Sequence, residues 1–104
     1  MIKYKVKKND DHIETIKVEG HALFGAYGTD IVCASVSTGL IMTANAIEIL
    51  GYKDKISLKV EEGFFELQVL QTNSIIEGLL NNLVYTLNEL EAQYRTYIKY
   101  QKEA

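Results

Sequence analysis

A thiol and an imidazole are the two side chains in this sequence that can do covalent chemistry together. Cys33 is the only cysteine among the 104 residues, so it forms no disulfide within the chain. His21 precedes it across a segment that contains Gly20, Gly25 and Gly28, which gives the imidazole freedom to approach the thiol. A base beside a thiol produces a thiolate, and the imidazolium then donates its proton to a leaving amine. Cys33 and His21 are therefore the candidate catalytic pair, with simple core packing as the alternative for Cys33.

The start of the first predicted helix affects how reactive this thiol is. Apolar residues recur at helical spacing from Val32 to Ile47 and predict a helix over residues 31–50, with Thr29 or Asp30 as the N-cap. Cys33 then lies at about the third helical position, where the positive end of the helix dipole favours a thiolate. The residues from 20 to 29 lack a regular pattern and are predicted to form a mobile loop. Its residues 22–28 are expected to close over a bound peptide, with a simple connection between strand and helix as the alternative.

Two polar residues near Cys33 have two interpretations each. Asp30 either caps the helix or orients the imidazole of His21, and the cap is the preferred interpretation. Ser37 lies one turn beyond Cys33, so its hydroxyl donates to the thiolate or to a substrate, or it bonds a backbone carbonyl one turn back. His12 lies in a polar turn and is interpreted as a solvated residue.

No combination of residues in the sequence predicts a cofactor. One sulfur and two histidines far apart in sequence make a poor zinc set. The spacing of Gly20, Gly25 and Gly28 does not match a phosphate-binding loop. We expect no metal, no nucleotide and no other cofactor.

The remaining patterns predict an α+β fold. Ile2, Tyr4 and Val6 alternate with lysines, and a polar turn separates this strand from a second strand over residues 13–18, with a possible bulge. Gly51 ends the first helix, and a second hairpin follows, with its turn at residues 61–63. Ser74 and Glu77 have the spacing of a capping box, which predicts a second helix to about residue 97.

These elements follow one another in the order ββαββα. Hairpins favour antiparallel pairing, and two helices on one sheet is the simplest arrangement. We therefore expect residues 1–104 to form a single domain, a two-layer sandwich with a mainly antiparallel sheet of about four strands and two helices.

Composition and charge exclude several classes of protein. Apolar residues make up 47% and charged residues 24% of the chain, which argues against long disordered segments. The formal charge is −3 and the lysines are spread along the sequence, so we expect no direct nucleic-acid partner. The uncharged stretch from Ile31 to Ile47 is short for a membrane span and contains polar residues, so a buried helix is the better interpretation. The alternating first residues do not resemble a secretory signal, and we expect a cytoplasmic protein with no membrane partner.

Two segments of the sequence resemble the ribosomal-processing cysteine protease family usually called Prp. They are GHA at residues 20–22 and YGTDIVCASVS at residues 27–37, and NAI at residues 45–47 is also similar to the family. The order of elements resembles the family over the whole chain. Ser35 is a departure, because the family more often has alanine or glycine there, and it affects local packing only.

The resemblance implies a site-specific cysteine endopeptidase. Such an enzyme removes a short N-terminal extension from a bacterial large-subunit ribosomal protein, bL27, and cleaves after a phenylalanine. By this resemblance His21 and Cys33 are catalytic, Asp30 and Ser37 match positions associated with the site, and Gly20 and Gly28 belong to the same motif. The resemblance also implies a homodimer.

Two other functions are compatible with the residues themselves. One is a non-catalytic ribosome-associated module that binds a peptide, in which Cys33 serves only for packing. The other is a redox-sensing thiol. Cleavage of a candidate substrate that depends on Cys33 distinguishes the protease from both.

Overall fold

Two layers make up the computed structural model, which describes residues 1–20 and 27–102, with side chains in the second range from residue 31. Within these residues, two helices cover one face of a five-stranded sheet with the strand order β3-β4-β2-β1-β5. The elements are β1 (Ile2–Asn9), β2 (His12–Glu19), α1 (Tyr27–Ile49), a 3-10 turn (Lys53–Lys55), β3 (Ile56–Glu61), β4 (Phe64–Val69), α2 (Ser74–Gln93) and β5 (Ile98–Tyr100). The predicted α+β order is confirmed, with an additional strand at the end.

The first hairpin contains the predicted bulge. The pairing of β1 with β2 changes register between Lys7 and Lys8. The bulge adds one unpaired residue to β2. It thereby allows both Ile13 and Ile16 to be buried, although their spacing does not fit a regular strand. Ile2 and Tyr4 are buried on the same side, as their alternation predicts.

The second hairpin has the predicted bounds and turn. Strands β3 and β4 pair antiparallel from Ile56 and Val69 to Glu61 and Phe64. Gly63 in the turn has a φ of 71°, a conformation that costs glycine little. Because β4 also pairs with β2, this hairpin joins the first one in a single sheet.

Helix α1 ends where predicted but begins earlier. Gly51 has a φ of 94°, and its N–H donates to the carbonyl of Glu48 while the N–H of Tyr52 donates to that of Ile47. This pair of hydrogen bonds is a Schellman motif. The predicted start at residue 31 is wrong: the helix begins at Tyr27, so Thr29 and Asp30 lie inside it and neither is the N-cap.

Only one side of α1 is buried. Val32, Val36, Leu40, Ala44 and Ile47 pack in the core. The segment Ile31–Ile49 is long and apolar enough to cross a membrane, by length and composition alone, and 28% of it is buried in the protein. The expectation of a buried helix is therefore correct for one face and wrong for the other.

Helix α2 differs from its prediction at both ends. The N-cap is Asn73, whose side chain accepts a hydrogen bond from the N–H of Ile76 at 2.8 Å, and not Ser74. Glu77 accepts from the N–H of Ile13 at 3.2 Å and lies 3.2 Å from Nδ1 of His12, so His12 has a neighbour that the sequence did not indicate. The helix ends at Gln93, and residues 98–100 then form β5, parallel to β1.

A buried tyrosine connects β1 to α2 and β5. The Tyr4 hydroxyl lies 2.8 Å from Glu91 Oε1 and 2.6 Å from the side-chain oxygen of Asn88. A hydroxyl has one proton, and the Tyr4 hydroxyl donates it to the carboxylate of Glu91. With the oxygen and nitrogen of the Asn88 amide exchanged, the amide N–H donates the second hydrogen bond to the Tyr4 oxygen. The other Glu91 oxygen accepts from the N–H of Tyr100 at 2.8 Å. Glu91 thereby holds β5 beside β1.

Replacing Tyr4 with phenylalanine is expected to lower the free energy of unfolding by about 1–2 kcal/mol at neutral pH, because Glu91 loses a buried donor. Burial, reinforced by the hydrogen bond to Glu91, raises the pKa of Tyr4 above its ordinary value. A raised pKa means that the tyrosine stabilises the fold fully below about pH 10 and loses this contribution as the pH rises further.

Urea unfolding at pH 8 and at pH 11 measures both effects of this substitution. The difference between the wild type and Tyr4→Phe should shrink at the higher pH. A difference that stays constant or grows would contradict the assigned direction of the pKa shift.

Candidate active site

An apolar cleft of about 290 Å³ lies between α1, the ends of β1 and β2, and the turn of the β3–β4 hairpin. Cys33 and Ser37 of α1 line it, together with Glu61 and Glu62 of the hairpin. Its remaining lining is largely apolar, from Ile2, Val18, Val36, Leu40, Ile41, Val60, Phe64 and Phe65. Such a cleft suits a peptide whose large apolar side chain lies close to the thiol.

The helical spacing places Cys33 and Ser37 side by side in this cleft. Cys33 is half-buried and packs against the core, whereas Ser37, one turn later, is exposed. The predicted third helical position of Cys33 is wrong, because α1 begins at Tyr27 and Cys33 is in the second turn. Since the helix dipole acts mainly within the first turn, a nearby base is a stronger candidate for activating the thiol.

Part of the predicted loop is helical. Gly28 and Asp30 are the second and fourth residues of α1, so the prediction of a loop is wrong for residues 27–29. His21 and residues 22–26 lie outside the described residues. The pairing of His21 with Cys33 therefore stays a prediction, as does the closing of the loop over a peptide.

Gly20 lines the cleft immediately before His21 in the chain. Its N–H donates to the carbonyl of Gly63 at 2.9 Å, which fixes the end of β2 against the hairpin turn. Gly20 has a φ of 101°, and a Cβ atom there would collide with the carbonyl oxygen of Met1. The positive φ and the close backbone contact explain why the motif has glycine at residue 20.

The substitution Gly20→Ala is expected to lower the free energy of unfolding by about 1–3 kcal/mol, because alanine meets both an unfavourable φ and a backbone atom. Chemical denaturation measures this loss. Gly78 is the matched control, since a Cβ there has no neighbour within 4 Å and the residue lies inside α2. Gly78→Ala should stabilise the protein by about 0.5–1 kcal/mol. Equal effects of the two substitutions would contradict the strain assigned to Gly20.

The hairpin turn also forms part of the cleft. Glu61, Glu62 and Gly63 line it, whereas their sequence predicts only a turn. Their contact with the end of β2 joins residues far apart in sequence, and a turn motif carries no signal of it. The two carboxylates make the rim acidic, which disfavours an acidic peptide.

Carboxylate, imidazole and thiol groups do not gather into a metal centre in the described part of the chain. Residues 1–20 and 27–102 contain no group of three or more histidine, cysteine, aspartate or glutamate side chains placed to hold an ion.

A match to a protein-family model shows which family the chain belongs to. The model for the cysteine protease Prp matches residues 1–99. The chain belongs to the Prp family of cysteine proteases. It is 29% identical over 102 residues to the ribosomal processing cysteine protease Prp of Staphylococcus aureus, which covers 95% of this chain and 96% of that protein. The Prp protein of Bacillus subtilis is 23% identical over 106 residues, with 95% of each chain covered.

Solved structures from the family have the same fold. The S. aureus ribosomal processing protease Prp in complex with a substrate peptide matches with a TM-score of 0.88 and 27% identity, over 99% of this chain and 100% of that one. The same protease with a covalently linked product peptide matches with a TM-score of 0.86, also at 27% identity. The predicted fold and the resemblance to the Prp family are confirmed.

Proposed function

We propose that this cysteine protease is a site-specific endopeptidase that removes the N-terminal extension of ribosomal protein bL27. The observation that carries the proposal is the position of Cys33 in an apolar cleft of the size needed for a large side chain. The S. aureus relative is a ribosomal processing protease, and its two structures contain a substrate peptide and a product peptide. They support a peptide from a ribosomal protein as the substrate. The apolar lining supports phenylalanine as the residue before the cleaved bond.

In the proposed mechanism, Cys33 is the nucleophile and His21 is the base. His21 takes the thiol proton, and the thiolate attacks the carbonyl carbon of the phenylalanine. The imidazolium then protonates the leaving amine, which departs with the mature protein and leaves a thioester on Cys33. Water, deprotonated by His21, hydrolyses this thioester and releases the extension. Ser37, beside Cys33 in the cleft, donates a hydrogen bond to the thiolate or to the peptide.

We propose in addition that the chain acts as a homodimer in the cytoplasm. The exposed side of α1 supports the dimer, with Ile31, Ile41, Met42 and Ile49 each more than half exposed. A face with so little charge can meet its own copy across a two-fold axis without repulsion. Sedimentation equilibrium of the wild type and of Met42→Glu tests this, with Tyr85→Glu on α2 as the control. A wild type that is a monomer at tens of micromolar would contradict the dimer.

Gly39 of α1 does not belong to this exposed side of the helix. A Cβ on Gly39 would lie 3.9 Å from Cδ1 of Leu83, so this residue faces α2 of the same chain. Substitutions at Gly39 therefore test helix packing and not the dimer.

Mass spectrometry tests the proposed cleavage. Full-length bL27 precursor mixed with the wild type should lose its extension after a phenylalanine, and the precursor mixed with Cys33→Ala should keep its mass. A precursor that stays intact with the folded wild type would contradict the proposal. Binding without cleavage would instead support a peptide-binding module.

A further inference from the structure

The sheet face opposite the helices collects more than half of the chain's eleven lysines and arginines. In β1 the buried residues Ile2 and Tyr4 alternate with lysines, so the lysines point to the uncovered side. Cross-strand partners share a face, and the register adds lysines of β2, β3 and β5 to this set. We call it the lysine face, which consists of Lys3, Lys5, Lys7, Lys17, Lys59 and Lys99.

The lysine face carries like charges in directly opposing positions. Lys5 pairs with Lys17 across β1 and β2, and Lys3 pairs with Lys99 across β1 and β5. Like charges directly opposite each other destabilise a sheet. Because the whole chain has a net charge of −3, this concentration of cations makes the charge distribution strongly uneven.

Acidic neighbours neutralise the lysine face only in part. Its register positions also hold Glu19, Glu61 and Glu66. The ion pairs there are long and only partly buried, at 3.7 Å from Lys17 to Glu19 and 3.8 Å from Lys7 to Glu14. Such pairs contribute little free energy and are readily replaced by a stronger anion.

A shallow depression lies where the lysines converge. Lys5, Lys7, Lys17 and Thr15 line it together with Glu66, and its volume is about 270 Å³. Three lysines and a threonine in this lining supply the donors that an anionic group of the size of a phosphate needs, in spite of the one carboxylate. The ammonium groups of Lys7 and Lys17 lie beside Glu14 and Glu19, and an anion in the depression would draw them away from these weak pairs. Successive lysines of β1 lie roughly 7 Å apart, which allows several anionic groups in a row to be contacted.

An aromatic ring extends this surface towards the active-site cleft. Phe64 is half-buried, lines the cleft, and has the ammonium groups of Lys17 and Lys59 5.6 Å and 5.7 Å from its ring centroid. Aromatic rings among lysines are the means by which proteins bind single-stranded nucleic acid, through base stacking and phosphate contacts.

We propose that the lysine face binds the phosphate backbone of single-stranded RNA. An anionic membrane surface is a poorer partner, because none of the strongly exposed apolar residues in the described part of the chain occupies a register position of the lysine face. An acidic protein is also a poorer partner, since the face lacks the central apolar contacts that hold protein interfaces together. The lysines are spread out along the sequence, but the alternation of side chains along the strands places them on one face. The proposal therefore replaces the expectation of no nucleic-acid partner.

Fluorescence anisotropy of a labelled single-stranded RNA with the full-length Cys33→Ala protein tests the proposal without any contribution from cleavage. Contacts with about three phosphates predict binding that weakens about 20-fold from roughly 50 to 200 mM salt, a logarithmic slope near −2. Lys5→Gln and Lys17→Gln should each weaken binding several-fold and reduce that slope by about 0.7.

Lys53→Gln is the matched control, because its side chain is 78% exposed in the turn after α1 and pairs with Glu48 of that helix. It should leave RNA binding nearly unchanged. Absence of RNA binding, or equal losses in the control and the lysine-face variants, would overturn the proposal. Binding of phosphatidylserine vesicles in place of RNA would also overturn it and assign the face to a membrane.

The same variants separate this inference from the proposed protease function. Lys5→Gln should cleave a free substrate peptide as fast as the wild type. If the wild type binds RNA but does not cleave the precursor, the protease function fails and the RNA surface stands.

Discussion

Cys33→Ser and His21→Ala should each slow cleavage of the bL27 precursor by roughly three to six orders of magnitude, as loss of one member of such a pair does in other hydrolases. A serine hydroxyl in the place of Cys33 holds its proton far more tightly than a thiol, so the nucleophile is lost. Without the imidazole of His21, the thiol has no proton acceptor and the leaving amine has no proton donor. Single-turnover cleavage followed by mass spectrometry measures both losses.

The double variant and a surface control make this test specific. Because the two residues act as one unit, Cys33→Ser combined with His21→Ala should be no slower than the slower single variant. Ala34→Ser changes an exposed neighbour on α1 that does not line the cleft, and it should retain full activity. Cys33→Ser should melt close to the wild type, because Cys33 is only half-buried. Near wild-type turnover in either single variant would show that the assigned pair is wrong.

Replacing the phenylalanine before the cleaved bond with alanine should lower kcat/KM by about 30- to 150-fold. The cleft beside Cys33 is lined largely by apolar side chains, and burying a phenylalanine side chain there is worth about 2–3 kcal/mol more than leaving it in water. Leucine at the same position should give an intermediate value, since it buries less apolar area.

Competition between peptides of equal length measures this preference directly. A peptide with aspartate at that position should be the poorest substrate, because the rim of the cleft carries Glu61 and Glu62. A control peptide with a change far from the cleaved bond should match the parent. If the alanine and phenylalanine peptides were cleaved equally fast, the cleft would not hold that side chain.

The elements that could be predicted are those whose side chains alternate in a simple way. Strand β1 shows this, because Ile2 and Tyr4 follow the period of a half-buried strand and both are buried. The end of α1 at Gly51 was also predictable, since a glycine after an apolar helix favours the left-handed conformation found there. In both cases the local sequence and the tertiary structure favour the same conformation.

The errors occur where tertiary contacts act against the local signal. Thr29 and Asp30 are good capping residues, yet α1 continues past them to Tyr27. The apolar period of α2 continues to Tyr94, but Tyr94 and Tyr97 pack against the core from a turn. Strand β5 has three residues, too few to show a period, and its pairing with β1 depends on residues at the other end of the chain.

Part of the candidate site could likewise be inferred. Cys33 and Ser37 are one helical turn apart in sequence, and the structure places both in the cleft. The hairpin residues Glu61 and Glu62 reach the same cleft through strand pairing over a long sequence distance, which no local pattern reveals. The alternation of lysines in β1 is visible in the sequence, but the other lysines of the lysine face join it only through the order of the strands.

The position of β5 has a consequence for how the newly made chain folds. Strand β1 is synthesised first among the described elements, yet its neighbour on one side is β5, with Ile2 paired to Ile98 and the N–H of Ile2 bonded to the carbonyl of Tyr97. Contacts between such distant segments slow folding, because a long loop must close before they form. The sheet is therefore completed only after Tyr100 has been translated, and until then the edge of β1 is available to a chaperone or to a neighbouring nascent chain.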